Sequence, residues 1–398
     1  MGVTSVLARW ASANVHVLIV EVPGGDQLRM LLETELDRRG WTVALSPADA
    51  DLFAVCGVPG KELRAASDFL WNQMPGPRSR VAVTTSLALP ALLDAAVAHL
   101  VDDSLQRAEA RARSRSTAAE TPKSHIQEHE SVSHEGMDHG DMDMQGPGGI
   151  PLAGGGDDRD GLEMDVLNVP LGPLLPHWPA GLVVDCVLQG DVIVSAQARI
   201  LDAPFAPGYA PNKESSQVKM PDEDAHQRTV RLCDHASNVL ALAGWQTAAQ
   251  EARRLRNDLL SNDVPQEAHA TNSATAIDRL RRRVERSMLL RWSLKNLSLR
   301  GTGSGADANP LTPNPTGYGD VRNRLVGWLT EASTLTGTPS AQQSPVASLS
   351  DRAQEAQRAL AALPELLVGT DLGTARLLIA GLGLDIAALV QAHERAHD

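Results

Sequence analysis

VHVLIVEVPGGDQLRMLLETELDRRG, residues 15–40, decides the fold class of this chain. Val15 to Val22 reads as a strand, Pro23-Gly24-Gly25 as a turn, and Leu28, Leu31, Leu32 and Leu36 recur at helical spacing, with Asp26 the expected N-cap and Gly40 the stop. The same alternation continues outward. Strands are predicted over Thr42–Leu45, Leu52–Cys56 and Val81–Thr85, and helices over Lys61–Gln73 and Leu89–Leu100. Strands separated by amphipathic helices predict an α/β unit with a doubly wound, mostly parallel sheet. In such a sheet, ligands bind beyond the strand ends, here Val22–Asp26, Gly57–Gly60 and Thr84–Leu87. The Gly24-Gly25 turn could hold a phosphate at a helix start. Asp26 would repel it, so a structural turn is expected.

Working further out, 398 residues with 42% hydrophobic content exceed what one core usually accommodates. Residues 1–102 form the α/β unit, 103–160 a disordered His/Met/Gly-rich linker, and 161–398 a second unit of α+β type, a β-hairpin followed by a helical bundle. The hairpin is read from Leu162–Val169, Leu182–Leu188 and Val192–Ile200, the last two joined at Gln189-Gly190-Asp191. Helices are expected over 225–242, 247–260, 275–297, 321–335, 349–363 and 366–393.

The totals exclude several classes. A net charge of −13 disfavours nonspecific nucleic-acid binding, which relies on excess Lys and Arg, and the Arg-rich run Arg279–Arg286 reads as a solvated helix face. Cys56, Cys186 and Cys233 are the only cysteines and contain no CxxC, so neither a disulfide framework nor a Cys-rich zinc site is available. Each is expected to be a small buried residue. No apolar run approaches the roughly 20 residues of a membrane helix. A cytoplasmic location without direct membrane insertion is the expectation, with the chain peripheral to a membrane through partner subunits.

The linker carries His125, His129, His134, Met137, His139, Met142 and Met144. Imidazole and thioether suit copper, and imidazole also suits nickel or zinc, so a weakly bound metal is one reading and a hydrophilic spacer is the other. No other cofactor is expected.

Two stretches resemble known subunits. Ala48 to Ser86, ADADLFAVCGVPGKELRAASDFLWNQMPGPRSRVAVTTS, is similar to the cluster-bearing small subunit shared by respiratory complex I and the NiFe hydrogenases, with WNQMPGPR its most specific phrase. Pro170 to Val194, PLGPLLPHWPAGLVVDCVLQGDVIV, resembles the opening of the complex I quinone-site subunit, a relative of the hydrogenase large subunit. Gly172-Pro173, Pro176, Leu188 and Gly190 fall on family residues, and Arg231 to Leu260 is a fainter echo of the family's cysteine-containing helix.

Those families bind an iron-sulfur cluster through cysteines in strand-end loops, which here read Val22–Asp26 and Thr84–Leu87 with no cysteine. Leu175 and Pro179 fall where the quinone-site loop has its histidines, and His177 falls on a serine. Cys233 has no second cysteine nearby to hold a NiFe centre, and Asp234 with His235 is expected to cap a helix or face solvent rather than act as an acid–base pair. The resemblance therefore implies a degenerate fusion of the two subunits, a non-catalytic structural or assembly component whose partners are other subunits of a complex I-like or hydrogenase-like assembly. The alternatives are a metal chaperone or sensor using the linker, and an accessory subunit of an active NADH-quinone-type oxidoreductase.

Overall fold

The computed structural model describes residues 14–120, 154–157, 163–201, 224–260, 266–295, 297–299, 319–337 and 347–397. In the first unit, strands β1 (His16–Glu21), β2 (Thr42–Val43), β3 (Leu52–Cys56) and β4 (Ser79–Val83) form a parallel sheet in the order β2-β1-β3-β4. The expected α/β architecture is present. β3 lies between two neighbours and all of its residues are buried, so its apolar run has no polar alternation to show. Leu52, Ala54 and Cys56 face one core with Leu32, Leu36 and Leu93; Phe53 and Val55 face the other with Leu63 and Met74.

Helices α1 (Asp26–Arg39), α2 (Lys61–Gln73) and α3 (Leu89–Val101) cover the sheet. Asp26 sits in the first turn of α1 instead of capping it, because Gly25 takes the N-cap place without a side-chain bond. A Cβ at Gly25 would collide with the carbonyl of Cys56, so the turn after β1 is pressed against the end of β3 and a structural turn is what the site provides. Gly40 stops α1 in the left-handed conformation, φ 70°.

The phrase WNQMPGPR builds a clamp. Arg78 stacks on Trp71 at 4.0 Å and donates to the carbonyls of Trp71 and Met74, while its own backbone is held on both sides by Gln106 at 3.0 Å. Gln106 belongs to α4 (Asp103–Glu120). The chain after residue 102 is thus a helix anchored to the first unit, and the linker boundary expected at 103 lies too early.

The second unit is built on an antiparallel sheet, β5 (Gly154–Asp157), β6 (Glu163–Leu171), β7 (Leu182–Gln189) and β8 (Val192–Ile200), in sequential order. It is larger than the hairpin read from the sequence, since a glycine-rich strand pairs by its backbone alone and gives no side-chain periodicity. Behind it lie α5 (Ala225–Leu242), α6 (Gln246–Leu260), α7 (Gln266–Arg286), α8 (Met288–Ser293), α9 (Val321–Gly337), α10 (Leu349–Leu367), α11 (Leu372–Leu382) and α12 (Ile386–His397). The helix expected over 275–297 starts earlier and breaks at Ser287, whose hydroxyl caps α8 through Leu290 N at 3.1 Å. That expected over 366–393 is two helices, divided at Gly383 with φ 61°. α5 runs through the centre of this core, touching α6, α9 and α11.

No single helix among the described residues is long and apolar enough to cross a membrane, and the bent pair α11–α12 reaches that composition only jointly. Ala375, Leu378, Ile379 and Ala388 of this pair are buried in the core.

The loop from β6 to β7 has one tight point. Gly172 has φ 88°, and a Cβ there would collide with the Leu182 carbonyl and the Trp178 indole nitrogen, which are themselves bonded at 2.7 Å. Gly190 has a similar φ of 61° but faces open space. Gly190→Ala should cost about 1 kcal/mol for the left-handed backbone, and Gly172→Ala at least twice that because overpacking adds to it. Urea denaturation of the two variants checks the ranking.

Candidate functional site

The two units meet along α1 on one side and α5 with α6 on the other. Arg29, Glu33 and Asp37 follow each other at four-residue steps along α1, and Arg253, Arg256 and Asn257 share one face of α6. Arg29 is the hub. Its guanidinium donates to Glu21 at 2.6 Å, to Glu33 at 3.0 Å and to Asp234 at 2.7 and 3.2 Å. Arg256, only 1% exposed, donates to Asp234, to Glu33 at 2.6 Å and to Asn257 at 3.0 and 2.7 Å. Asn257 passes the chain to Asp37 at 2.8 Å, which also receives Arg253 at 3.2 Å.

Buried charges survive only when paired, and these are paired across the interface. Burial alone would push the Asp234 carboxyl up, yet Arg29 and Arg256 overcome it and hold Asp234 well below the ordinary carboxylate range. Glu33 is held low in the same way, with Arg256 and then Arg29 outweighing its desolvation. Glu21 behaves oppositely. Desolvation pushes it to about 7 despite Arg29.

The interface borders a cavity of about 90 Å³, whose walls mix the polar Glu21, Asp26, Arg29, His177, Asp234 and His235 with apolar groups such as Met30, Trp178 and Ile379. A hollow of about 120 Å³ shares Glu21, Arg29 and His177 but is closed by Leu18, Val20 and Leu175. Arg231, Asp234, His235 and Asn238 reach this region from one side of α5, at i, i+3, i+4 and i+7. His177, at φ 58°, donates its Nδ1–H to the Asn238 side-chain oxygen at 3.0 Å, an orientation fixed by the acceptor. Burial lowers its pKa.

His235 packs its ring 5.3 Å from Trp328, and its Nε2 is enclosed without a hydrogen-bond partner. Desolvation, aided by the nearby Arg231, lowers its pKa to about 3, so the ring is neutral at physiological pH. Behind it, Asp385 accepts from Arg231 at 2.5 Å and from Arg352 at 2.7 and 2.9 Å; these cations overcome its burial and bring it to about 2.

These positions overturn one expectation. Asp234 and His235 neither cap a helix nor face solvent: α5 starts at Ala225 behind its N-cap Asp224, so both lie mid-helix on the side turned to the first unit. Of the loop residues singled out from sequence, His177 and Pro179 line the 90 Å³ cavity and Leu175 the neighbouring hollow. The Thr84–Leu87 loop lines neither, and Leu87 is 94% exposed. All three thiols are free and buried, with desolvation pushing Cys186 to about 11 and Cys233 to about 12. His125, His129, His134, Met137, His139, Met142 and Met144 lie outside the described residues. Among the described residues, no group of three or more His, Cys, Asp or Glu is arranged to hold a metal ion.

The network was visible in the sequence only as helical stripes of charge, a signal that solvated faces share. Chemically, it pins two units together and contributes polar groups to the walls of a small cavity. No family model and no curated protein matches the chain.

Proposed function

We propose that the chain is a non-catalytic relative of the two subunits that meet at the quinone or nickel–iron site of complex I and the hydrogenases, fused into one polypeptide and acting as a structural or assembly subunit of such a complex. One juxtaposition carries this reading. The stretches bearing the two resemblances, 48–86 and 170–194, lie in different units, and those units pack against each other, as two subunits that share an interface would. Leu174 packs into the core of Phe53 and Met74, and a Cβ on Gly181 would lie 2.7 Å from the Pro23 ring.

The chemistry of the contact supports a structural role. The turn after β1 offers Pro23, Gly24 and Gly25 where a cluster would need a thiolate, and the interface is filled with paired guanidinium and carboxylate groups instead. Capture of the full chain from its host under mild conditions is expected to recover stoichiometric partner subunits. Treatment of the isolated chain with iron and sulfide is expected to leave it without a stoichiometric cluster. A cluster with the visible absorption of a four-thiolate centre would overturn the proposal, as would recovery of the chain alone.

A further inference from the structure

On a chain of net charge −13, the corner between α7 and α8 has the opposite sign. Arg279, Arg282, Arg283 and Arg286 follow one face of α7 at i, i+3, i+4 and i+7, and with Trp245 they wall an open groove. The nearby carboxylates are already engaged. Asp278 holds Arg281 at 2.7 Å and Arg282 at 2.5 Å, Glu285 holds Arg281 at 2.6 Å, and Glu251 holds Arg283. Arg279, Arg286, Arg291 and Lys295 are exposed and have no carboxylate within ion-pair distance among the described residues.

Beside these cations, Met288, Leu289 and Trp292 are 73%, 74% and 76% exposed. Met288, Arg291 and Trp292 lie at i, i+3 and i+4 on one side of α8, so apolar and cationic groups share a face, and Lys295 follows just past the C-cap Leu294. Scattered apolar residues on a surface need no explanation, but three large ones next to the exposed Arg286 and Arg291 do.

We propose that this corner docks the protein on an anionic lipid surface. Trp292 would rest at headgroup depth, Met288 and Leu289 would reach the acyl boundary, and the four cations would meet lipid phosphates. Charge complementarity selects the partner: an acidic surface attracts the cations, whereas the remainder of the chain is repelled by it. A nucleic acid would engage the arginines and stack on Trp292 but leave Met288 and Leu289 without a role, and an acidic protein segment would leave all three apolar groups without one. The contact is peripheral and independent of the assembly role proposed above.

The test is cosedimentation of the full chain with vesicles of phosphatidylcholine, with and without phosphatidylglycerol. Binding is expected only to the anionic vesicles and should weaken as salt is raised. Arg286→Gln with Arg291→Gln should reduce it about thirty-fold, from two lost headgroup charges, and Leu289→Ser with Trp292→Ser should reduce it at least ten-fold. All four side chains are exposed, so unchanged unfolding midpoints will show that the variants remain folded. Absence of vesicle binding, or binding that neither double variant alters, would overturn the proposal. Retention on DNA or polyglutamate without vesicle binding would overturn it as well, by assigning the patch to an acidic macromolecule.

Discussion

Asp234→Ala is expected to lower the unfolding free energy by about 3–5 kcal/mol, the range for removing one member of a buried ion pair. The carboxylate neutralises Arg29 from the first unit and Arg256 from its own, so its loss leaves two enclosed guanidiniums sharing Glu33 and Glu21. Alanine also leaves a void that no neighbouring side chain can fill with charge. Because the bonds of Asp234 join the two units, urea denaturation followed by fluorescence should show the transition broadening or splitting as they uncouple. A triple replacement of Asp234, Arg29 and Arg256 by apolar residues of similar size should be at least as damaging as the single change, since Glu33 and Glu21 then lose the guanidiniums that pair them. If Asp234→Ala lost less than about 1 kcal/mol, the network would be no more than a surface pairing.

The second large effect is on pH dependence, and two groups act in opposite directions. Glu21 rises from 4.5 unfolded to about 7 folded, so between those values the folded state binds the extra proton. Its contribution is complete below 4.5 and is lost as pH rises through 7, a change on the order of 3 kcal/mol. His235 falls from 6.5 to about 3, so the unfolded state binds the extra proton in that interval. Its contribution is complete above 6.5 and is lost as pH falls toward 3. Stability measured from pH 4 to 9 should therefore be less steep in each variant on one side only. Glu21→Gln should lose less than the parent between pH 5 and 8, and His235→Leu should lose less between pH 7 and 4. Parallel curves for parent and variants would show that neither group titrates differently on folding.

Much of the fold was legible because its determinants are local. β1, its glycine turn and α1 announce themselves through periodicity, and the fully apolar β3 can only be an interior strand. β5 was missed because glycines carry no pattern. The break at Ser287 was missed because leucines and arginines continue at helical spacing on both sides of it.

The site was much less legible. Arg29, Glu33, Asp234 and Arg256 occupy helical stripes that ordinarily face water, and only the docking of one unit on the other makes them interior. Alignment to the resembled motif gives His177 only a serine's place, whereas its position at the cavity depends on a left-handed backbone angle and on Asn238, 61 residues away. Local sequence encodes which faces are polar. It does not encode which polar faces find each other.

The order of charge along α1, a cation at Arg29 followed by carboxylates at Glu33 and Asp37, sets a single seating for the two units. Sliding α1 by one turn would bring Glu33 to the place of Arg29, opposite Asp234, and replace attraction with repulsion. The contact works like a key with one depth. That key is indifferent to which molecule supplies it, so two copies that open together can exchange their first units and rebuild every ion pair between chains. An intertwined dimer with the monomer's own interface is the assembly this seating allows without a new surface.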